Sequence, residues 1–273
     1  MLGVDRASLL AHPEAPVGTG QIEAFEIALA RRVRGEPVAY IRGLKEFYGL
    51  ALTVDTRALI PRPETELLVD LGLQRLRSLL TEAPRPELSP PLRVWDVGTG
   101  SGAVAVALAV EARRRGYGRD VRLLASDTSA QALGLAVENA VVHGVADVIE
   151  FRQADLLEEP IDGPVELVLA NLPYIPSADV PRLPVAASFE PAAALDGGPD
   201  GLDHIRRLLS RLPAVLAPAG ACLLEIGADQ GEQVGEVVSG VLTGWSLSSH
   251  KDLAGVPRVV ELRPPSLSAG GDR

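Results

Sequence analysis

From residue 92 onward the chain alternates short apolar runs with segments of helical period, and that alternation leaves few folds open. Strands read at 92–97, 121–126, 148–151, 165–170 and 221–227, and helices at 102–115, 129–143, 202–216 and 229–239. Alternation of this kind builds an α/β fold, a doubly wound, mostly parallel sheet covered on both faces. The last two segments, near 244–250 and 257–263, have no clear helix between them and read as a terminal hairpin with one antiparallel strand. No internal repeat and no long low-complexity tract interrupts the pattern.

Upstream of that sheet the texture differs. Residues 20–34 set Ile22, Phe25, Ile27, Leu29 and Val33 at roughly helical spacing and stop before Gly35, so residues 1–34 read as a small helical unit. Pro37 to Ala58 reads as a hairpin around Phe47-Tyr48-Gly49. A helix then starts within Ile60-Pro61-Arg62-Pro63-Glu64-Thr65-Glu66 and carries Leu67, Leu68, Leu71 and Leu76. Thr81 to Pro91 is rich in proline and polar residues, as linkers are. The expected organisation is a small helical N-terminal domain with its hairpin link over 1–75 and a Pro-rich linker over 76–91. The α/β domain follows over 92–265, with a flexible tail over 266–273.

Composition narrows the functional classes. An apolar fraction of 47% and a charged fraction of 23% suit a folded soluble protein, and no apolar stretch reaches the roughly 18 residues of a membrane span. The N-terminus lacks a secretory pattern, and the single cysteine, Cys222, lies in an apolar run where it reads as a buried inert thiol. These features point to the cytoplasm. A net charge of −10 argues against a broad phosphate-binding surface, although Arg31, Arg32 and Arg34, and Arg113 to Arg115, form local clusters at helix ends. His12, His143, His204 and His250 are scattered without metal-ligand spacing and read as surface or cap residues.

Two strand ends carry the chemistry. Gly98-Thr99-Gly100-Ser101-Gly102 follows one strand and opens a helix, where glycines allow a sharp turn and the helix N-terminus offers free N–H groups. With Ala103 the run also satisfies a dinucleotide fingerprint, so a nicotinamide oxidoreductase stays open at this point. Asp127 ends the next strand, as an acceptor for ribose hydroxyls or a helix cap. Asp155 is placed either to bind an adenine amino group or as an ordinary loop acid, and Asp96 either faces the donor or braces the loop. The other strand end is Asn171-Leu172-Pro173-Tyr174. An amide nitrogen is a poor nucleophile, and accepting both of its N–H hydrogens orients it and stabilises the charge that builds on it. The Asn171 side-chain oxygen and the Leu172 carbonyl can do this. Tyr174 offers a face for packing and Pro173 stiffens the elbow. Glycine loop and elbow together are what methyl transfer to a planar nitrogen needs.

The chain resembles the peptide chain release factor N(5)-glutamine methyltransferases over nearly its full length. The resemblance rests on Pro37-Val38-Ala39-Tyr40-Ile41, Lys45-Glu46-Phe47-Tyr48-Gly49 and Leu59-Ile60-Pro61-Arg62-Pro63-Glu64-Thr65-Glu66. It continues through both loops, Phe189-Glu190-Pro191, Leu195-Asp196-Gly197-Gly198-Pro199-Asp200-Gly201-Leu202 and Lys251-Asp252-Leu253-Ala254-Gly255. It implies a Rossmann-like class I methyltransferase domain that uses S-adenosyl-L-methionine, preceded by a helical domain for substrate recognition. The implied substrate is the glutamine of a Gly-Gly-Gln tripeptide in bacterial class 1 release factors. Carried over, Gly98 to Gly102 with Asp127, Asp155 and Leu156 would bind the donor. Asn171 would touch donor and glutamine, residues 171–174 would grip the glutamine, and Arg62, Pro63, Glu64 and Thr65 would line the cleft opposite. Two positions depart from the family pattern. Leu172 stands where a proline is usual, and Leu156 where an aromatic residue is frequent.

The stretch from Pro176 to Leu202 is longer than an ordinary connection, so it is expected to shape the acceptor cleft, with Glu190 and Asp196 positioning backbone rather than reacting. The competing reading is an adenine-N6 methyltransferase acting on ribosomal RNA or DNA, because Asn-Leu-Pro-Tyr and Asn-Pro-Pro-Tyr also occur there. The acidic balance, the N-terminal helical unit and the Arg62 block favour a protein substrate.

Overall fold

Two glycine-assisted turns shape the front of the molecule, for which a computed structural model describes residues 6–81, 89–158, 161 and 163–265. Helices α1 (Arg6–Ala11), α2 (Thr19–Val33) and α3 (Val38–Arg42) lead into an antiparallel hairpin of β1 (Leu44–Phe47) and β2 (Leu50–Thr53). Tyr48 and Gly49 form the hairpin turn with φ of 52° and 71°, the two-residue geometry whose twist suits paired strands. Glu66 accepts the Tyr48 N–H at 2.9 Å and Asp70 accepts its hydroxyl at 2.6 Å, which holds the tyrosine in that uncommon conformation. The other turn is Gly35, at φ 94°, where the chain leaves α2 against Val185.

Residues 20–34 are helical as their spacing predicts, but the apolar stripe is not a buried face. Ile22, Phe25, Ile27, Leu29 and Val33 are all exposed, Val33 at 80%. The helix meets the body near its C-terminal end, where Arg31 pairs with Glu36 and Gly35 passes Val185, so periodicity alone gave it no core to join.

The main sheet contains β3 (Leu92–Val97), β4 (Val121–Asp127), β5 (Ile149–Gln153), β6 (Val165–Ala170), β7 (Leu216–Glu225), β8 (Ser246–Lys251) and β9 (Pro257–Arg263). Its order is β5-β4-β3-β6-β7-β9-β8, parallel through β7, with β9 antiparallel to both of its neighbours. The chain winds outward from β3 to β5, then returns to pair β6 on the other side of β3. That reversal opens a crevice at the carboxyl ends of β3 and β6. Helices α4 (Glu66–Thr81), α5 (Ala103–Arg114) and α6 (Ala130–Val142) share one apolar core with the sheet, and α7 (Asp203–Val215) and α8 (Gly231–Val241) share the other. Successive strand residues point to opposite faces. Leu167, Leu169, Ala221 and Leu223 therefore join the first core, while Val168, Ala170, Cys222 and Leu224 join the second. Burial pushes the Cys222 thiol up to about 12, consistent with an inert core residue.

Some boundaries differ from those the sequence suggests. Helix α4 continues through Thr81 and buries Leu76 completely, so residues 76–81 are helix rather than linker. Its apolar face, Leu68, Val69, Leu73 and Leu76, belongs to the sheet's core, with Gly72 allowing close approach to Leu108 and Leu169. Residues 82–88 of the expected linker and the tail 266–273 lie outside the described residues. Strand β7 starts at Leu216, ahead of the expected 221, because Leu216 and Ala217 are apolar enough to pair beside Val165 across an irregular register.

Leu169 is the penultimate residue of β6, fully buried beneath α4. Leu169→Ala should cost about 2–5 kcal/mol of stability, read as a lowered urea midpoint with an unchanged slope.

Candidate active site

The crevice holds a cavity of about 270 Å³ at the ends of β3, β4 and β6. Strands β3 and β6 are neighbours in register, Val97 beside Ala170, so Gly98 and Asn171 leave the sheet together. Their loops touch. A Cβ on Gly98 would lie 3.1 Å from Leu172 Cδ2, and the Leu172 side chain is buried.

The glycine loop is shaped by its backbone. Gly98, Gly100 and Gly102 all have positive φ, at 72°, 55° and 79°. Gly102 caps α5 and passes so close to α6 that a Cβ would meet Ala136 Cβ at 2.9 Å. Asp96 braces the turn, accepting from Thr99 Oγ1 at 2.6 Å and from the Ala105 N–H at 3.2 Å, and burial pushes its carboxyl up to about 6. Asp127 accepts from the Gly100 N–H and the Ser129 N–H, each at 2.9 Å. Burial raises its pKa against the pull of those donors. The helix-cap role belongs to Ser129, whose hydroxyl accepts from the Ala132 N–H.

Among the residues singled out from sequence, Gly98, Thr99, Gly100, Ser101, Asp127, Asp155 and Leu156 line the cavity on the glycine-loop side. Asn171, Leu172, Pro173, Arg62 and Thr65 line it from the elbow and the facing segment. Gly102, Pro63, Glu64 and Tyr174 do not. Gly102 is spent on helix packing, and the Tyr174 carbonyl accepts from Gln230 Nε2 at 2.9 Å. Asp155 is paired with Arg207 at 2.7 Å, and Leu156 adopts φ 52°, an uncommon conformation for a branched residue. His204, expected at the surface, lies in the cavity wall with its ring nitrogen 3.3 Å from the Asp196 carbonyl.

The elbow is supported from behind. Gly197 and Gly201 back onto it so closely that a Cβ on Gly197 would stand 2.8 Å from the Pro173 oxygen and the Tyr174 Cα, and one on Gly201 would collide with the Tyr174 carbonyl. The return of the 176–202 segment is pinned by Ile175 N–H to Leu195 O at 3.1 Å and Gly197 N–H to Ile175 O at 2.8 Å. Asp196 accepts from the Gly198 N–H and the Ser177 hydroxyl, and Glu190 from the Ile60 N–H and Arg62 Nη2, so both acids position backbone and neighbours as expected.

Asn171 Nδ2 donates to Thr65 Oγ1 at 3.0 Å. Among the described residues neither Asn171 Oδ1 nor the Leu172 carbonyl oxygen accepts a bond, leaving two acceptors beside the glycine loop. Such a pair suits a planar NH2 group.

Two family models match the chain, the PrmC N-terminal domain over residues 1–43 and the methyltransferase small domain over residues 68–194. The release factor glutamine methyltransferase of Xylella fastidiosa (strain 9a5c) is 40% identical over 230 residues, 84% of this chain and 78% of that protein. Its counterpart in Bradyrhizobium diazoefficiens is 35% identical over 269 residues, 97% of this chain and 85% of that protein. This chain belongs to the release factor glutamine methyltransferase family. Among solved structures, a ribosomal protein L11 methylase from Lactobacillus delbrueckii subsp. bulgaricus superposes with a TM-score of 0.51 at 22% identity, over 76% of this chain and 81% of that one. That likeness establishes the class I methyltransferase fold.

Several residues that build the methyltransferase site carry no motif. Asn139 on α6 uses one carboxamide three times, accepting the Thr53 N–H and donating to the carbonyls of Thr53 and Ser101. It staples the hairpin to the glycine loop. Arg57 spans Asp55 and Glu138 and ties the segment after the hairpin to α6. Glu225 ends β7 only 2% exposed, beside Thr65 and Asn171, and its Oε2 has no hydrogen-bond partner. The available signal was an acid ending an otherwise apolar strand at the sheet's functional edge.

Burial raises the Glu225 carboxyl from 4.5 to about 7. Between those values the unfolded chain has lost the proton and the folded protein keeps it, so stability falls as pH rises through the window, by about 3 kcal/mol in all. Asp96 adds its own decline only up to about 6. Urea unfolding from pH 6 to 8 should therefore show stability decreasing, and Glu225→Gln should flatten that slope. An unaltered slope would assign it to other groups.

Proposed function

We propose that this chain transfers a methyl group from S-adenosylmethionine to the side-chain amide nitrogen of the glutamine in a Gly-Gly-Gln tripeptide of bacterial class 1 peptide chain release factors. One observation carries the reading. Asn171 leaves β6 against the glycine loop with Nδ2 engaged by Thr65, so Oδ1 is the end offered to an acceptor. The Leu172 carbonyl supplies the second acceptor. A carboxamide or an exocyclic amine matches this pair, and the family's named substrate is a glutamine.

Family and fold imply S-adenosylmethionine, which supplies an electrophilic methyl group. The residues present fit that donor. The positive-φ glycines and the N-terminus of α5 make a cradle with close backbone approach, and the half-buried carboxylate of Asp127 stands at the end of β4, where ribose hydroxyls can donate to it. Leu156 and Ala154 give the adenine an apolar wall, with Asp155 at its edge.

On the acceptor side, Asn171 and Leu172 orient the nitrogen and stabilise positive charge developing on its hydrogens, so no strong base is required. Leu172 contributes its main-chain oxygen to that task while its side chain packs on Gly98, which accounts for leucine serving where a proline is common. In this reading the helices and hairpin ahead of α4 engage the release factor, α4 and the sheet hold the donor, and the reaction takes place in the cytoplasm on a protein rather than on nucleic acid.

Mass spectrometry of a class 1 release factor after incubation with this protein and S-adenosylmethionine should show one added methyl group on the tripeptide glutamine. Methylation of ribosomal RNA or duplex DNA instead, with the release factor untouched, would overturn the assignment. Asn171→Ala should leave donor affinity within a few-fold and lower turnover by about 10²–10³.

A further inference from the structure

Gln230 occupies the position that would cap α8, yet its side chain makes no cap bond. Short polar side chains favour that position because they reach the free N–H groups of the first turn. Gln230 is instead buried against the elbow, 5% exposed. Its Oε1 accepts from the Gly227 N–H at 2.8 Å, and its Nε2 donates to the Tyr174 carbonyl at 2.9 Å. An N–H only donates and a carbonyl only accepts, so the carboxamide has one orientation. Two glycines make room for it. A Cβ on Gly227 would stand 2.9 Å from Oε1, and one on Gly201 would stand 2.9 Å from Nε2 and collide with the Tyr174 carbonyl.

These contacts fix a peptide plane. The Tyr174 carbonyl and the Ile175 N–H belong to one planar unit. Gln230 holds its carbonyl end, and the Leu195 carbonyl accepts from its N–H end at 3.1 Å. The next carbonyl, that of Ile175, accepts from the Gly197 N–H at 2.8 Å. Upstream, Gly197 backs the Pro173 peptide so closely that a Cβ would stand 2.8 Å from the Pro173 oxygen. One unit further upstream lies the Leu172 carbonyl, and the Pro173 ring locks one of the torsions between. Leu172 itself has no ring, so the direction of its carbonyl depends on what anchors the elbow downstream.

We propose that Gln230 is a positioning residue for methyl transfer, holding the Tyr174 peptide so that the Leu172 carbonyl stays aimed at the acceptor nitrogen. This rests on the reading of that carbonyl as the second acceptor for the substrate NH2 group. Gly201 belongs to the same device, as the clearance beside the Gln230–Tyr174 bond. A single neutral hydrogen bond adds little to global stability, whereas a displacement of about 1 Å at a reacting group changes a rate about 100-fold. The effect of this bond therefore falls on turnover.

Gln230→Met keeps the length of the side chain and removes both bonds. Amide exchange read residue by residue by NMR, without substrate, should be about ten-fold faster at Ile175 and Gly197 in this variant. Thr99 and Gly100, held in the glycine loop by the Ser126 carbonyl and Asp127, should exchange as in the wild type. With a release factor as substrate, kcat should fall about 10- to 100-fold while the KM for S-adenosylmethionine stays within about two-fold. Gly201→Ala, which pushes on the same bond with Gln230 intact, should give the same split. The double variant should be little worse than the more impaired single one. Unchanged exchange at Ile175, an unchanged kcat, a donor KM that rises as kcat falls, or additive losses in the double variant would overturn the proposal. Exchange quickened equally at Thr99 and Gly100 would do so too, because it marks general loosening. A wild-type protein that leaves release factors unmethylated would instead overturn the release factor reading, and the exchange comparison would still decide whether Gln230 holds the elbow.

Discussion

Everything in the site depends on β3 and β6 being parallel neighbours that end at the same level. In a doubly wound sheet this is the one place where successive helices diverge to opposite faces, so a crevice opens without any residue being spent on carving it. The glycine loop and the elbow then meet by van der Waals contact, Gly98 against Leu172. Neither loop could take its position if the other strand were displaced by one register step, because every side chain would change face.

Most of the framework was legible in the sequence because it rests on local rules. Short, nearly continuous apolar runs such as Val165–Ala170 gave the strands, as expected of strands covered on both faces, and glycines after Val97 gave the donor loop. The elbow was readable because Asn, Pro and Tyr follow a strand end directly. What stayed hidden was set by tertiary partners. Helix α4 was grouped with the front of the chain by position, yet Leu68 to Leu76 belong to the sheet's core. The stripe on α2 has the right spacing for burial but stays exposed. Glu225 and Asn139 matter because of what lies beside them from distant parts of the chain, Thr65 and Asn171 for the first and Thr53 and Ser101 for the second, and no pattern in the chain announces such pairs. Tyr174, by contrast, is a motif residue that is not among those lining the cavity.

Charged and polar side chains do the joining that an apolar core cannot. Glu190 ties the segment at Ile60 and Arg62 to the 176–202 loop, Arg57 ties its start to α6, and Gln230 links α8 to the elbow through Gly227 and Tyr174. These bonds are few, mostly buried or half-buried, and each joins elements distant in sequence. Such contacts define geometry more than they add stability, since buried ionic groups lose much of their attraction to desolvation.

The amide of Asn139 has a mechanical consequence for the front of the molecule. Because it holds both main-chain groups of Thr53 and the carbonyl of Ser101, separating the hairpin from the catalytic body would orphan a fully buried carboxamide. The hairpin and everything after it are therefore clamped as one piece. Any swing of the first two helices toward an arriving macromolecule must pivot upstream, around Gly35, whose backbone tolerates angles denied to other residues.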